Sequence, residues 1–163
     1  MGGTPPVILE VGTGVADACA LLLAGLHPDV RLRGVTCVAG SASVDDVVPN
    51  TLTVLDVCGW TDVPVARGAS RPLLGPVSEA RHVHGDDGMA DLGWPWSDRQ
   101  PDQRHAVELL ADLLSQAAAG GSAERVTLVT LAPLTTIALL LRACPEAAVG
   151  LREIGVMGGW AHV

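Results

Sequence analysis

The stretch Pro6-Val7-Ile8-Leu9-Glu10-Val11-Gly12-Thr13-Gly14-Val15-Ala16-Asp17-Ala18 decides the fold. Its first six residues form a short apolar run, the pattern of a strand buried on both faces, and Gly12 and Gly14 close it. A helix is expected from Asp17 to Leu26, ending before His27-Pro28. A strand that turns directly into a helix is the opening of a βαβ unit, and the rest of the chain repeats the theme.

A second strand is expected over Arg31 to Val38, followed by Gly40-Ser41, with Ser43 placed to cap a helix running towards Cys58. Pro49 falls inside that helix and is compatible with a late start or a kink. Pro64-Val65-Ala66 reads as a short strand, and the Pro-, Gly-, Trp- and Asp-rich stretch from Gly68 to Pro101 as a long loop, functional or mobile. A helix over Gln103 to Ala118, a strand over Arg125 to Leu131, a helix over Pro133 to Arg142 and a strand over Glu153 to Met157 complete the pattern. The fold class is therefore α/β: three layers around a mostly parallel, Rossmann-like sheet. In such sheets ligands bind beyond the carboxyl ends of the strands. Gly12 to Asp17, Gly40-Ser41, Thr130 to Pro133 and Gly158-Gly159 all fall at such ends.

Composition sets the outer bounds. At 163 residues, 48% hydrophobic and 17% charged, the chain fits one folded domain over residues 1–163. With no Phe and no Tyr, the core must be built from Leu, Val, Ile and Ala. A formal net charge of −8 without any run of cations argues against nucleic acid or an anionic membrane as partner. Cys19, Cys37, Cys58 and Cys144 are scattered through apolar stretches and read as reduced core thiols. The apolar run from Cys19 to Leu26 is too short to span a bilayer, and the amino terminus has no basic region, so a cytoplasmic location is expected.

Six segments, in order, resemble the inosine–uridine type of nucleoside hydrolase. The first stretch is similar to that family's DxDPGxDDA strand end, and Gly34-Val35-Thr36-Cys37-Val38-Ala39-Gly40-Ser41 to its GVTTVAGN. Thr61 to Gly68 with Arg71-Pro72-Leu73 resembles TDVPVxxG…RPL, and His82-Val83-His84-Gly85-Asp86-Asp87-Gly88 resembles the HxHGxxG loop. Thr127 to Thr136 looks like TLVPTGPLTN, and Val156-Met157-Gly158-Gly159 like LMGG. The resemblance implies a fold like the N-terminal region of those enzymes, truncated relative to the family. It also implies their chemistry: hydrolysis of the N-glycosidic bond, with an aspartate cluster holding calcium and one aspartate acting as general base on a metal-bound water.

Against that pattern the chain departs where the chemistry lies. Glu10 stands at the first aspartate position, Gly12 at that of the general base, Thr13 at the proline and Ala16 at the first of the paired aspartates. Asp17 survives; Ser41 replaces the Asn of the second strand end, and Leu131 the Thr whose backbone carbonyl the family offers to calcium. The candidate catalytic residues are thus Glu10 and Asp17, with Asp17 the one vestigial metal ligand. Gly12, Ser41, His82, His84, Asp86 and Leu131 are the candidate ligand contacts. So few ligands fall short of the roughly 6–8 oxygens calcium prefers, and no cofactor is expected.

Each residue also has a plainer role. Asp17 suits a helix N-terminus by its charge, as do Asp45 and Asp46, and Glu10 suits a polar strand end. Gly12-Thr13-Gly14 lacks the third glycine of a dinucleotide loop and the Lys of a phosphate loop. His82, His84, Asp86 and Asp87 form a polar cluster that suits a pocket mouth better than a metal, while His27, His105 and His162 read as surface residues. Trp94-Pro95-Trp96 marks a binding surface; Trp60 and Trp160 read as core or interface anchors. Three functions follow. One is a repurposed family member that keeps a small-molecule pocket without the metal chemistry, with or without a metal-independent reaction of its own. Another is an N-ribohydrolase completed by a partner chain or a homo-oligomer. The last is a non-enzymatic interaction subunit.

Overall fold

The computed structural model describes residues 4–159, so Trp160 and His162 lie outside the described residues. Five strands, β1 (Pro6–Val11), β2 (Arg31–Cys37), β3 (Val65–Arg67), β4 (Val126–Thr130) and β5 (Leu151–Val156), form a sheet in the order β3-β2-β1-β4-β5. Every pairing in it is parallel, where the sequence pointed to a mostly parallel sheet. The helices are α1 (Val15–Leu26), α2 (Val44–Val57), the single turn α3 (Arg81–His84), α4 (Ala106–Ala119) and α5 (Thr135–Ala143). Short 3-10 turns at Ser122–Glu124 and Pro145–Gly150, which no sequence pattern announced, lead into β4 and β5.

The three layers follow from side-chain alternation along the strands. Leu9 and Val11 of β1 pack with Val35 and Cys37 of β2 against Leu21 of α1 and Val47, Val48 and Leu55 of α2. Ile8 points the other way, with Leu128 of β4, onto Leu110 and Leu114 of α4 and Ile137 and Leu140 of α5. The connections run outward from β1 in both directions, so the order reverses between β1 and β4. That reversal leaves a crevice at the carboxyl ends of the strands, which is where α/β sheets hold their ligands.

Local chemistry sets the helix ends. Ser43 caps α2 by accepting the Asp46 N–H, and Asp45 and Asp46 sit in its first turn, favourable to the helix dipole. Pro49 neither delays the start of α2 nor ends it; the helix runs on to Val57 at the cost of one backbone hydrogen bond. His105, exposed as expected of a surface histidine, has a second role: it caps α4 in a capping box with Glu108. Of the thiols only Cys37 is buried; Cys19 is exposed and Cys58 and Cys144 are half-buried, which corrects the reading of all four as core residues. No described helix is long and apolar enough to cross a membrane.

The long segment between β3 and α4 has little regular structure, but α2 ties it down. Asn50 donates to the Asp87 carbonyl, the Ser97 N–H donates to Thr53, and Arg99 pairs with Asp56 while donating to the carbonyls of Trp60 and Val63. In the turn before β5, Gly150 packs directly on the backbone of α4. A Cβ there would meet the Leu114 carbonyl oxygen at 2.0 Å. Gly150→Ala is expected to cost about 3 kcal/mol, the upper part of the overpacking range, in chemical denaturation. Gly155→Ala, whose Cβ would meet only Val129 at 3.8 Å, should lie far closer to the unchanged protein. Equal stability of the two variants would contradict the close approach.

Candidate ligand-binding site

Beyond the ends of β1, β2 and β4 lies a cleft of about 280 Å³ lined by Gly12, Asp17, Gly40, Ser41, Ser78, Ala80, Leu131, Ala132 and Pro133. It occupies the crevice at the reversal of strand order. Its centre is the turn from β1 into α1. The Gly12 N–H donates to Asp17 Oδ2 at 2.8 Å, folding the helix start back onto the strand end. Asp17 is buried, and burial raises its carboxyl above the usual range, opposed by the Gly12 N–H and by His84.

The backbone at Gly12 is close to that of β2: a Cβ there would stand 3.2 Å from the Gly40 Cα. Gly14 makes room in the same way, since a Cβ on it would meet His84 Nδ1 at 2.8 Å. That approach lets the Val15 N–H donate to His84 Nδ1 at 3.3 Å. The loop is held over the cleft by a second bond, Ala80 N–H to the Ser41 carbonyl at 2.9 Å.

Behind this turn a buried polar knot fixes the strand end. Thr13 and Thr51 share a hydroxyl bond of 2.7 Å, and Asn50 donates to the carbonyls of Thr13 and Asp87. Asn50 therefore clamps the β1–α1 turn to the His84–Asp87 loop. Nothing in its surroundings in sequence marked it, because a lone Asn in an amphipathic helix has no signature of its own.

The structure gathers some of the expected residues and separates others. Gly12, Asp17, Ser41 and Leu131 line one cleft, with His84 against its rim. His82 and Asp86 are exposed and outside the lining; Asp86 gives only its carbonyl, to Arg81. Asp87 accepts from the N–H groups of Met89 and Asp91 and shapes the loop. Ser78 lines the cleft without any sequence signal, since a serine in a long loop is indistinguishable from its neighbours there.

Glu10 is the main correction among the candidate catalytic residues. It is 0% exposed and does not line the cleft. By alternation it shares the face of Ile8 and lies beneath the sheet edge on the α4–α5 side. Thr36 Oγ1 donates to its Oε2 at 3.2 Å, and its Oε1 has no partner among the described residues. Burial pushes the carboxyl up to about 8, with Thr36 pulling weakly in the other direction. A neutral, enclosed carboxyl is no base for a water in the cleft.

A calcium site does not fit this donor set. Asp17 is the one carboxylate of the lining, and one of its oxygens is already used by Gly12. Among the described residues no three His, Cys, Asp or Glu side chains gather to hold a metal. Calcium takes roughly 6–8 oxygens, several of them charged.

A five-stranded parallel sheet covered by helices, with a cleft at its first strand end, defines an α/β fold, and the comparisons place it more closely. The model of the inosine-uridine preferring nucleoside hydrolase family matches residues 7–163, and the chain belongs to that family. It is 40% identical over 157 residues to the non-specific ribonucleoside hydrolase RihC of Klebsiella pneumoniae, covering 96% of this chain and 49% of that protein. It is 36% identical to the inosine-uridine preferring nucleoside hydrolase of Leishmania major, with the same coverage of 96% and 49%. Among solved structures, an inosine-guanosine nucleoside hydrolase superposes with a TM-score of 0.87 at 32% identity, over 95% of this chain and 48% of that one. A purine-preferring ribonucleoside hydrolase from Gardnerella vaginalis gives 0.83 at 28% identity, over 95% and 49%. The chain spans about half the length of these relatives.

The buried Glu10 makes stability depend on pH. Its carboxyl titrates near 8 in the fold against an ordinary 4.5, so the fold binds the proton more tightly than the unfolded chain. This stability is present below pH 4.5 and is lost as pH rises towards 8. At about 1.4 kcal/mol per unit, removing the carboxyl should gain on the order of 3 kcal/mol at pH 7. Glu10→Gln is therefore expected to raise the denaturation midpoint at pH 7 to 8 and to leave it nearly unchanged at pH 4.5. A variant less stable than the parent at pH 8 would show that the carboxylate is stabilised in the fold after all.

Proposed function

We propose that this chain is a nucleoside-hydrolase relative that keeps a small-molecule cleft, suited to a ribonucleoside or similar hydroxyl-rich ligand, without calcium-dependent N-ribohydrolase chemistry. One observation carries this reading. At the strand end where the family resemblance implies the general base stands Gly12, and its N–H is bonded to the surviving carboxylate, Asp17. The position has neither a base nor a second ligand, and the neighbouring Ala16 has lost the other. Glu10, the remaining acid of the motif, is neutral and enclosed below.

What the cleft retains is recognition. Asp17 and Ser41 offer acceptors to sugar hydroxyls, and Leu131, Ala132 and Pro133 form an apolar wall. The names of the relatives, which include inosine-uridine preferring and non-specific ribonucleoside hydrolases, point to nucleosides as the first ligands to try.

A second reading is favoured by a different observation. The outer strand β5 has its free edge and much of both faces open, with Val156 at 52% and Met157 at 60% exposure. That surface suits a further segment or partner chain, or a second copy, which would complete the cleft and supply ligands absent from this half.

Calorimetric titration separates the readings. With calcium alone, or calcium with inosine or uridine, no saturable heat is expected at millimolar metal. Nucleoside binding should be the same with calcium or with a chelator and should weaken about tenfold in Asp17→Asn, the loss of one charged hydrogen bond. Calcium binding that tightens with nucleoside, or release of free base by the protein, would restore the hydrolase.

A further inference from the structure

On the α1–α2 side, separate from the cleft, lies a hollow of about 210 Å³. Ala18 and Cys19 of α1, Val54 of α2, and Met89, Leu92 and Trp94 of the long loop form its wall, which carries almost no polar surface. We infer that this hollow is a binding site for a compact, uncharged apolar molecule of about one aromatic ring.

Size and chemistry select that occupant. The hollow opens to solvent, and water in it finds essentially no polar partner on the wall, so an apolar occupant gains by displacing that water. A space of 210 Å³ admits a ring with a small substituent. A sugar or a phosphate would lose its hydration without replacement, which excludes the ligands suited to the cleft.

The hollow is preformed. Its outer wall would be expected to collapse onto α1 and α2, since Leu92 is 66% and Trp94 41% exposed. The hollow stands open in the structure, beside a turn in which Ala90 and Asp91 hold φ of 62° and 53° and Asp87 Oδ1 accepts from the N–H groups of Met89 and Asp91 at 2.7 and 3.0 Å. The space between is open before any ligand arrives, which lowers the ordering cost of binding. The first turn of α1 divides the two sites, with Asp17 on the cleft side and Val15 and Ala18 on the apolar side.

The test uses toluene and indole against the whole chain, with ribose as the polar control. Two-dimensional amide spectra should show saturable shifts confined to the residues around Ala18, Cys19, Val54 and Met89, and ribose should produce none there. Cys19 lies on the wall and is exposed, so toluene should slow its alkylation by N-ethylmaleimide in the unaltered protein. Cys19→Phe, which places a ring in the space, should weaken toluene binding about tenfold or more while the melting temperature holds or rises. Absence of saturation up to the solubility of toluene overturns the site, as does unchanged affinity in Cys19→Phe together with unprotected Cys19. Shifts that vanish on dilution, in step with dissociation of a dimer, would assign the face to a protein contact instead and overturn it equally.

Discussion

β1 is hydrogen-bonded on both edges, to β2 and β4, and covered on both faces by helices. Its neighbours β2 and β4 share that double pairing, and the cleft lies beyond the ends of all three. Each buried backbone group of β1 finds its partner in the ladder, so the strand can hold an almost wholly apolar sequence without cost to its polar atoms. Its end is a different matter. Where the ladder stops at Val11, the next N–H groups need acceptors, and the chain supplies one from the side chain of Asp17. The same hydrogen bond therefore completes the strand and starts the helix.

Other polar groups near that end add to it. Thr13 and Thr51 share a hydroxyl bond, and Asn50 donates to the Thr13 carbonyl and to that of Asp87, tying the long loop to the turn. A loop of this length would have little reason to hold a single shape on its own. Here its shape comes from α2, whose polar face is turned inward at Asn50 and Thr53 rather than towards water. His84 meets the start of α1 at the Val15 N–H, and Asp87 adds bonds within the loop to the N–H groups of Met89 and Asp91.

The fold was legible because its signals are local. Pro6 to Val11 was delimited to the residue by a run of apolar side chains and two glycines, and Ser43 announced α2 by its capping chemistry. Helix starts placed too early or too late, as at α1 and α4, differ by the turn or so that fraying makes ambiguous. The site was legible only where it follows the strand ends: Gly12, Asp17, Ser41 and Leu131 converge because their strands are neighbours. Glu10 was a candidate through its place in the motif, and its place in the motif says nothing of the face it occupies. The alternation of two residues per repeat, counted from Ile8, already put it on the helix-covered face. Asn50 and Ser78 depend on contacts distant in sequence, and no spacing rule reaches them.

The substitutions at the cleft are consistent with one another in electrostatic terms. Several carboxylates within a few ångströms repel strongly in a partly buried site, and a divalent cation is what makes such a cluster tolerable. Without a cation, the four acids of such a motif could not all stay ionised. In this chain two of those positions are Gly12 and Ala16, and at Asp17 burial raises the carboxyl while the Gly12 N–H and His84 oppose it. The same reasoning bears on Glu10: burial raises its carboxyl to about 8, and a carboxyl kept mostly neutral at pH 7 adds little to the repulsion among ionised groups at the strand end.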